Sequence, residues 1–278
     1  GLRRRLESRV SRKERLLTAM HCEEPDTVPV APRFGWYTDA YYGAYSWMTL
    51  LKAGKDFGFD PLIILGPYAP AFRYTWHPWG PFDFDGVAVK LDVRWSGSDR
   101  IVTRDIRTPE GPLSDKTVIY GSRAVDISKP YYTPDPKKLE YLLKAPEDLK
   151  KIRYLIPDPS SNYPDLREIM RFVGDDGLVE GACYGPIDHV FVYSLEALLA
   201  SPYRDKKLLI ELLGMFQEHV LAETEAYLKA GAEAIFAPWY FCSMSAGWSP
   251  KMYRELFAPL ITKQVDLVHS YGAIYNLY

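Results

Sequence analysis

An aspartate and a histidine stand side by side in "GACYGPIDHV", as Asp188 and His189, just past an apolar run. An imidazole titrates near neutral pH, and a carboxyl group beside it can orient it or carry a proton itself, so the pair suits general acid chemistry. Each also has a plain structural reading: Asp188 as the N-cap of the next helix, His189 as a packing residue at a strand-helix junction. Other polar and aromatic residues fall at the ends of apolar runs elsewhere in the chain: Arg33, Trp36 and Tyr37; Pro67 and Tyr68; Cys183 and Tyr184; Trp239, Tyr240 and Cys242; Asn276 and Tyr278. A cation, several rings and an amide gathered at strand ends would line a small-molecule cleft. In it, Arg33 would either hold a substrate carboxylate or pair with an acidic neighbour. Cys183 and Cys242 follow consecutive strands and are either metal ligands or small core residues.

The elements that must position these residues come from pattern. Ser11 followed by Glu14 marks the start of a helix over 11–21. "TVPVAPRF" (27–34) reads as a first strand, residues 45–57 as a helix, and "DPLIILG" (60–66) as a second strand buried on both faces. Residues 67–160 break this rhythm: "GVAVKLDVRW", "DRIVTRDIRT" and "KTVIYGS" alternate apolar and polar residues, as an antiparallel hairpin excursion does. A polar, proline-punctuated connector with short helices closes that insertion. Strands are then expected at 177–185, 232–239 and 273–278. Between them lie a helix beginning at 194–200, a long helix over 205–230 ended by Gly231, and a helix capped by Ser249 with Pro250 at its first position and a mild kink at Pro259.

With 278 residues, 47% of them hydrophobic, the chain can bury a large core. A net charge of -2 gives no global field to attract nucleic acid or an anionic membrane. Its apolar runs are too short to span a bilayer, and "GLRRRLESRVSRKER" is too charged for a signal peptide, so a cytoplasmic location is expected. The three cysteines, Cys22, Cys183 and Cys242, form no CxxC pair and imply no disulfide framework. Among the remaining histidines, His219 and His269 read as structural, and His77 lies in "WHPWG", a lid or interface patch. No GxGxxG or GxxxxGK[ST] motif follows any strand. Alternating strands and helices imply an α/β protein with a parallel sheet, either an open doubly wound sheet or a (β/α)8 TIM barrel; the missing motifs subtract from a nucleotide-binding reading, and in a barrel the site would lie at the C-terminal ends of the strands.

Four segments, "SRKERLLTAMHCEEPDTVPVAP", "TRDIRTPEGPL", "LLKAPEDLKKI" and "GWSPKMYRELFAPLITKQVDLVHSYGA", together resemble the uroporphyrinogen decarboxylase superfamily, particularly its corrinoid-linked methyltransferase branch. The resemblance runs in order along nearly the whole chain and implies one barrel domain over 1–278, carrying the 67–160 insertion. It also implies that Tyr278 falls after strand five, with the barrel's remaining strands beyond it. Decarboxylases of the family resemble one another in an arginine-rich loop after strand one, where this chain has "PRFGWYTDAYYG" with Arg33 alone. Near the aspartate after their second strand this chain has Pro67. Their "IFDSWAG" after strand four corresponds to "IFAPWYF", which loses the acid and the serine.

Methyl transfer to or from a corrinoid (cobalamin) therefore fits better than uroporphyrinogen decarboxylation. A barrel that binds a small aromatic or tetrapyrrole ligand without turning it over is the third alternative. The resemblance implies a corrinoid carrier protein as partner, a small-molecule methyl donor or acceptor, and zinc with its ligands beyond Tyr278. Where the methyl group comes from an ether or amine, it calls for an acid at the leaving atom, assigned to His189 with Asp188. The expected contacts to the small molecule are Arg33, Trp36, Tyr37, Tyr68, Tyr184, Trp239, Tyr240 and Asn276. A homodimer is a further expectation.

Overall fold

The computed structural model describes residues 10–33, 35–44, 46–65, 86–121, 137–156, 166–188 and 194–278. Four short apolar segments form a parallel sheet: β1 (Leu62–Leu65), β6 (Leu178–Ala182), β7 (Ala234–Ala237) and β8 (Ile274–Leu277), in the order β1-β6-β7-β8. The intervening chain forms a second, antiparallel sheet of β2 (Ala88–Ser96), β3 (Asp99–Thr108), β4 (Gly111–Ile119) and β5 (Lys137–Glu140). The fold is α/β, but the expected eight-stranded closed barrel is not what the described residues form. They make a four-stranded parallel sheet and a separate antiparallel one.

Residues 27–33 of the strand expected at 27–34 are extended chain without sheet pairing among the described residues. Pro29 and Pro32 have no N–H to give to a ladder. Val30 instead donates to the Asp60 carboxylate at 3.1 Å and accepts from the Asp60 amide at 2.8 Å. Arg15 fastens the segment from the first helix (Arg12–Met20), binding Asp26 at 2.7 Å and Asp60 at 2.6 Å. Several elements are additional to the expected ones, among them the helix Leu166–Val173. Gly35–Tyr42 is helical, and Lys137–Glu140, within the expected connector, adds the fourth strand of the antiparallel sheet. Four further helices begin where their caps place them. Ser46, Ser194, Asp205 and Ser249 each accept a backbone N–H with the side-chain oxygen, and Gly231 ends the long helix Lys206–Ala230 in the left-handed conformation. Ahead of Pro259, which cannot donate to the turn before it, Tyr253–Phe257 widens into a π-turn that leads into Ala258–Ser270.

The parallel register gives each face of the sheet its own task. Ile64, Glu180, Ala234 and Ile274 lie level with one another on one face; Ile63, Val179, Gly181, Ile235 and Tyr275 lie on the other. The second face packs on the long helix, where Tyr227 sits so close to Gly181 that a Cβ there would fall 2.5 Å from its ring. The first face is covered at its N-terminal end by Leu16 of the first helix, against Leu178 and Ala234. Further along, towards the C-terminal ends of the strands, that face carries Glu180, Phe236 and Asn276. The antiparallel sheet joins the same body through Ile106 and Leu113, which belong to a core with Leu209, Leu212 and Phe216 of the long helix.

Candidate functional site

Glu180 is the chemical centre of that face. It is fully buried in the middle of β6, and its Oε1 accepts a hydrogen bond from Asn276 Nδ2 of β8 at 3.0 Å. On the strand between them Ala234 lies level with Glu180 and Phe236 level with Asn276, so the bond runs diagonally across β7. Oε2 of Glu180 is equally buried and has no hydrogen-bond partner among the described residues. Burial raises the pKa of this carboxyl to about 7, although the Asn276 amide and the charge of Arg33 pull it down. Glu180 is thus poised to hold or release a proton near neutral pH.

Arg33 reaches the same place from the extended segment. Its guanidinium lies 5.4 Å from the centre of the Phe236 ring and 5.1 Å from that of Tyr278, both within cation-π range. Burial alone would lower its pKa, but hydrogen bonding to the Tyr240 and Tyr278 side chains outweighs that and the net shift is upward. Tyr240 completes an aromatic rim, 6.1 Å from Tyr184 and edge-to-face with Tyr278 at 5.8 Å. Among the described residues Tyr240 and Tyr278 remain 41% and 59% exposed.

Behind the rim, Asp188 is buried in the turn after β6, facing the backbone amides of Tyr240 and Phe241. Among the described residues neither of its carboxyl oxygens makes a hydrogen bond of regular geometry, and burial raises its pKa to about 8. It is a second acid that keeps its proton at neutral pH. The Cys242 thiol donates to the Trp239 carbonyl at 3.1 Å; burial and then the nearby Asp188 charge push its pKa to about 11. Trp239 is buried under the site, its indole N–H bonded to the Tyr275 hydroxyl at 3.1 Å, and Tyr275 donates to Gln264 at 2.8 Å. Gly185 is required beside it, because a Cβ there would lie 2.4 Å from the Trp239 ring.

Of the residues singled out in the sequence, the structure brings together Arg33, Tyr184, Tyr240 and Asn276, with Asp188 and Trp239 behind them. Tyr37 packs with Tyr41 at 5.6 Å and with Phe57. His189, Tyr68 and the side chain of Trp36 lie outside the described residues. Cys183 is buried in the core, where burial raises its pKa well above the usual thiol value. Among the described residues no three His, Cys, Asp or Glu side chains gather as a metal site. Sequence reasoning passed over Glu180 itself. The signal was a lone carboxylate, in "GLVEGA", inside an otherwise apolar strand buried on both faces.

No family model and no curated protein matches the chain. A solved structure of similar fold is a methyltransferase from Methanosarcina mazei, 14% identical over 96% of this chain and 69% of that one, with a TM-score of 0.53. At that identity the likeness is one of fold. Among the described residues no helix is long and apolar enough to cross a membrane.

Proposed function

We propose that this protein is an enzyme that moves a methyl group from an ether oxygen or amine nitrogen of a small molecule to a corrinoid held on a carrier protein. The observation that carries this reading is Glu180: a buried carboxyl with a pKa of about 7, set between an amide and an arginine under an aromatic rim. Its setting in a fold similar to that of a methyltransferase supports the class of reaction.

A corrinoid would supply the electron pair that accepts the methyl group. The residues at the mouth fit such a partner, since a flat, largely apolar macrocycle can lie against the exposed rings of Tyr240 and Tyr278. Tyr184, Tyr240 and Tyr278 would hold the small molecule so that its methyl group points outward. The bond from methyl carbon to heteroatom breaks with its electron pair remaining on the heteroatom. Glu180 delivers its proton to that atom, and the product leaves as an alcohol, phenol or amine. The Glu180 carboxylate left behind is stabilised by the Asn276 hydrogen bond and the charge of Arg33. Asp188, whose pKa is raised by burial to about 8, would return a proton to the site in this reading.

Demethylation of an aryl methyl ether or a methylamine in the presence of reduced cobalamin tests this reading. Glu180→Gln keeps the acceptor for Asn276 but has no acidic proton, and it should lower product formation by about 10²- to 10⁴-fold while the small molecule still binds. Full binding with no turnover in the unaltered protein would make the site a ligand-binding one instead.

A further inference from the structure

The strand β2, Ala88–Ser96, is an edge of the antiparallel sheet among the described residues and shows features that proteins usually suppress at an edge. Its side chains alternate. Val89 packs on the core, and the same face continues outward as Leu91, Val93 and Trp95, which are 40%, 42% and 68% exposed. The opposite face carries Lys90, Asp92 and Arg94. On the inner side, β3 pairs with β2 along its full length, from Ala88 opposite Arg107 to Ser96 opposite Asp99, so the strand is held in register for a further partner.

We propose that β2 pairs with β2 of a second copy of this chain, antiparallel and centred on Val93, joining the two four-stranded sheets into one. The pattern of charges selects this partner and this register. With Val93 opposite itself, Asp92 falls opposite Arg94, Leu91 opposite Trp95, and Lys90 opposite Ser96, and each relation is repeated by the two-fold symmetry. Arg94, which binds Asp92 of its own strand at 2.7 Å, thereby gains a second carboxylate across the joint. A register centred on Asp92 would set Asp92 against itself and Lys90 against Arg94. One centred on Leu91 would match Lys90 with Asp92 but carry Trp95 past the paired region. Only the Val93 register buries Trp95 against an apolar neighbour while opposing unlike charges. The antiparallel joint satisfies the backbone donors and acceptors of both edges at once.

Sedimentation velocity and light scattering across roughly 1 to 100 µM, where interfaces of modest area associate, should show a concentration-dependent dimer of the intact chain. Val93→Lys sets two ammonium groups against each other and should weaken the dimer by about 100-fold or more; Val93→Glu should do the same with two carboxylates. Val93 is exposed, so neither change need disturb the fold, and an unaltered circular dichroism spectrum checks this. Mixed together, the two variants should associate again as a heterodimer, because the ammonium group of one copy then faces the carboxylate of the other. A chain that stays monomeric throughout this range overturns the proposal. So does a dimer that both variants leave intact, or a mixture of the two folded variants that stays monomeric.

Discussion

Asn276 donates to Glu180 across an intervening strand, at 3.0 Å, joining two residues 96 positions apart in the chain. The amide holds one oxygen of the carboxyl group, and the other has no partner among the described residues. In the proposed reaction that second oxygen would be the one that carries the proton to a bound molecule.

This environment makes folding stability depend on pH. The pKa of Glu180 is raised from 4.5 to about 7 and that of Asp188 from 3.8 to about 8, so both groups bind protons more tightly in the folded state. Their contribution is fully present below about pH 4 and is lost as the pH rises through 7 and 8. Urea denaturation at pH 5 and pH 9 should show lower stability at the higher value. Glu180→Gln should remove part of that difference, on the order of 2 to 3 kcal/mol.

Arg33 tunes the acid. Its charge lowers the pKa of Glu180 against the larger effect of burial, so Arg33→Ala should move the Glu180 titration upward. In pH-rate profiles the alkaline limb of Arg33→Ala should lie above that of the unaltered protein. Arg33→Lys should fall between the two, because it keeps the charge and loses the planar stacking on Phe236 and Tyr278.

How much of this could be read from the sequence depends on how local each signal was. Runs such as "LIIL" and "AIFA" declared buried parallel strands, and Ser249-Pro250 declared a helix start, because those signals sit within a few residues. "TVPVAPRF" misled because its β-branched residues suit a strand while its prolines cannot join one, and the carboxylate that claims Val30 lies 30 residues away. Extending the alternation to eight strands and closing them was an inference from resemblance, and the described residues form two separate four-stranded sheets instead. In the site, strand-end residues such as Arg33, Tyr184, Tyr240 and Asn276 were legible from their position. Glu180 was hidden, because what makes it an acid is burial and a partner on a strand two places away in the sheet.

A cluster outside the site offers a separate test of the packing. Arg104 and Lys138 both bind the buried Asp115 of the antiparallel sheet, Arg104 Nε at 2.7 Å. Burial would raise the pKa of Asp115, but the Arg104 hydrogen bond and charge, with those of Lys138, hold it below the usual value. Asp115→Ala leaves two buried cations facing each other and should cost about 3 to 5 kcal/mol in denaturant unfolding.

Gly185 tests how firmly the floor of the site is set. Gly185→Ala places a methyl group 2.4 Å from the Trp239 ring and must displace it from Tyr275. A loss of about 1 to 3 kcal/mol is expected, together with a shift in tryptophan emission. An unchanged melting temperature and spectrum would mean that Trp239 is not packed as described.

The most direct measurement is the pH dependence of demethylation of an aryl methyl ether or methylamine with reduced cobalamin, followed by mass spectrometry of the product, for the unaltered protein and for Glu180→Gln. Product formation should fall above about pH 7 in the unaltered protein as Glu180 loses its proton, and in the variant it should be low and show no such limb. Equal rates in the two proteins, or a profile flat through pH 7, would contradict the assignment of Glu180 as the acid.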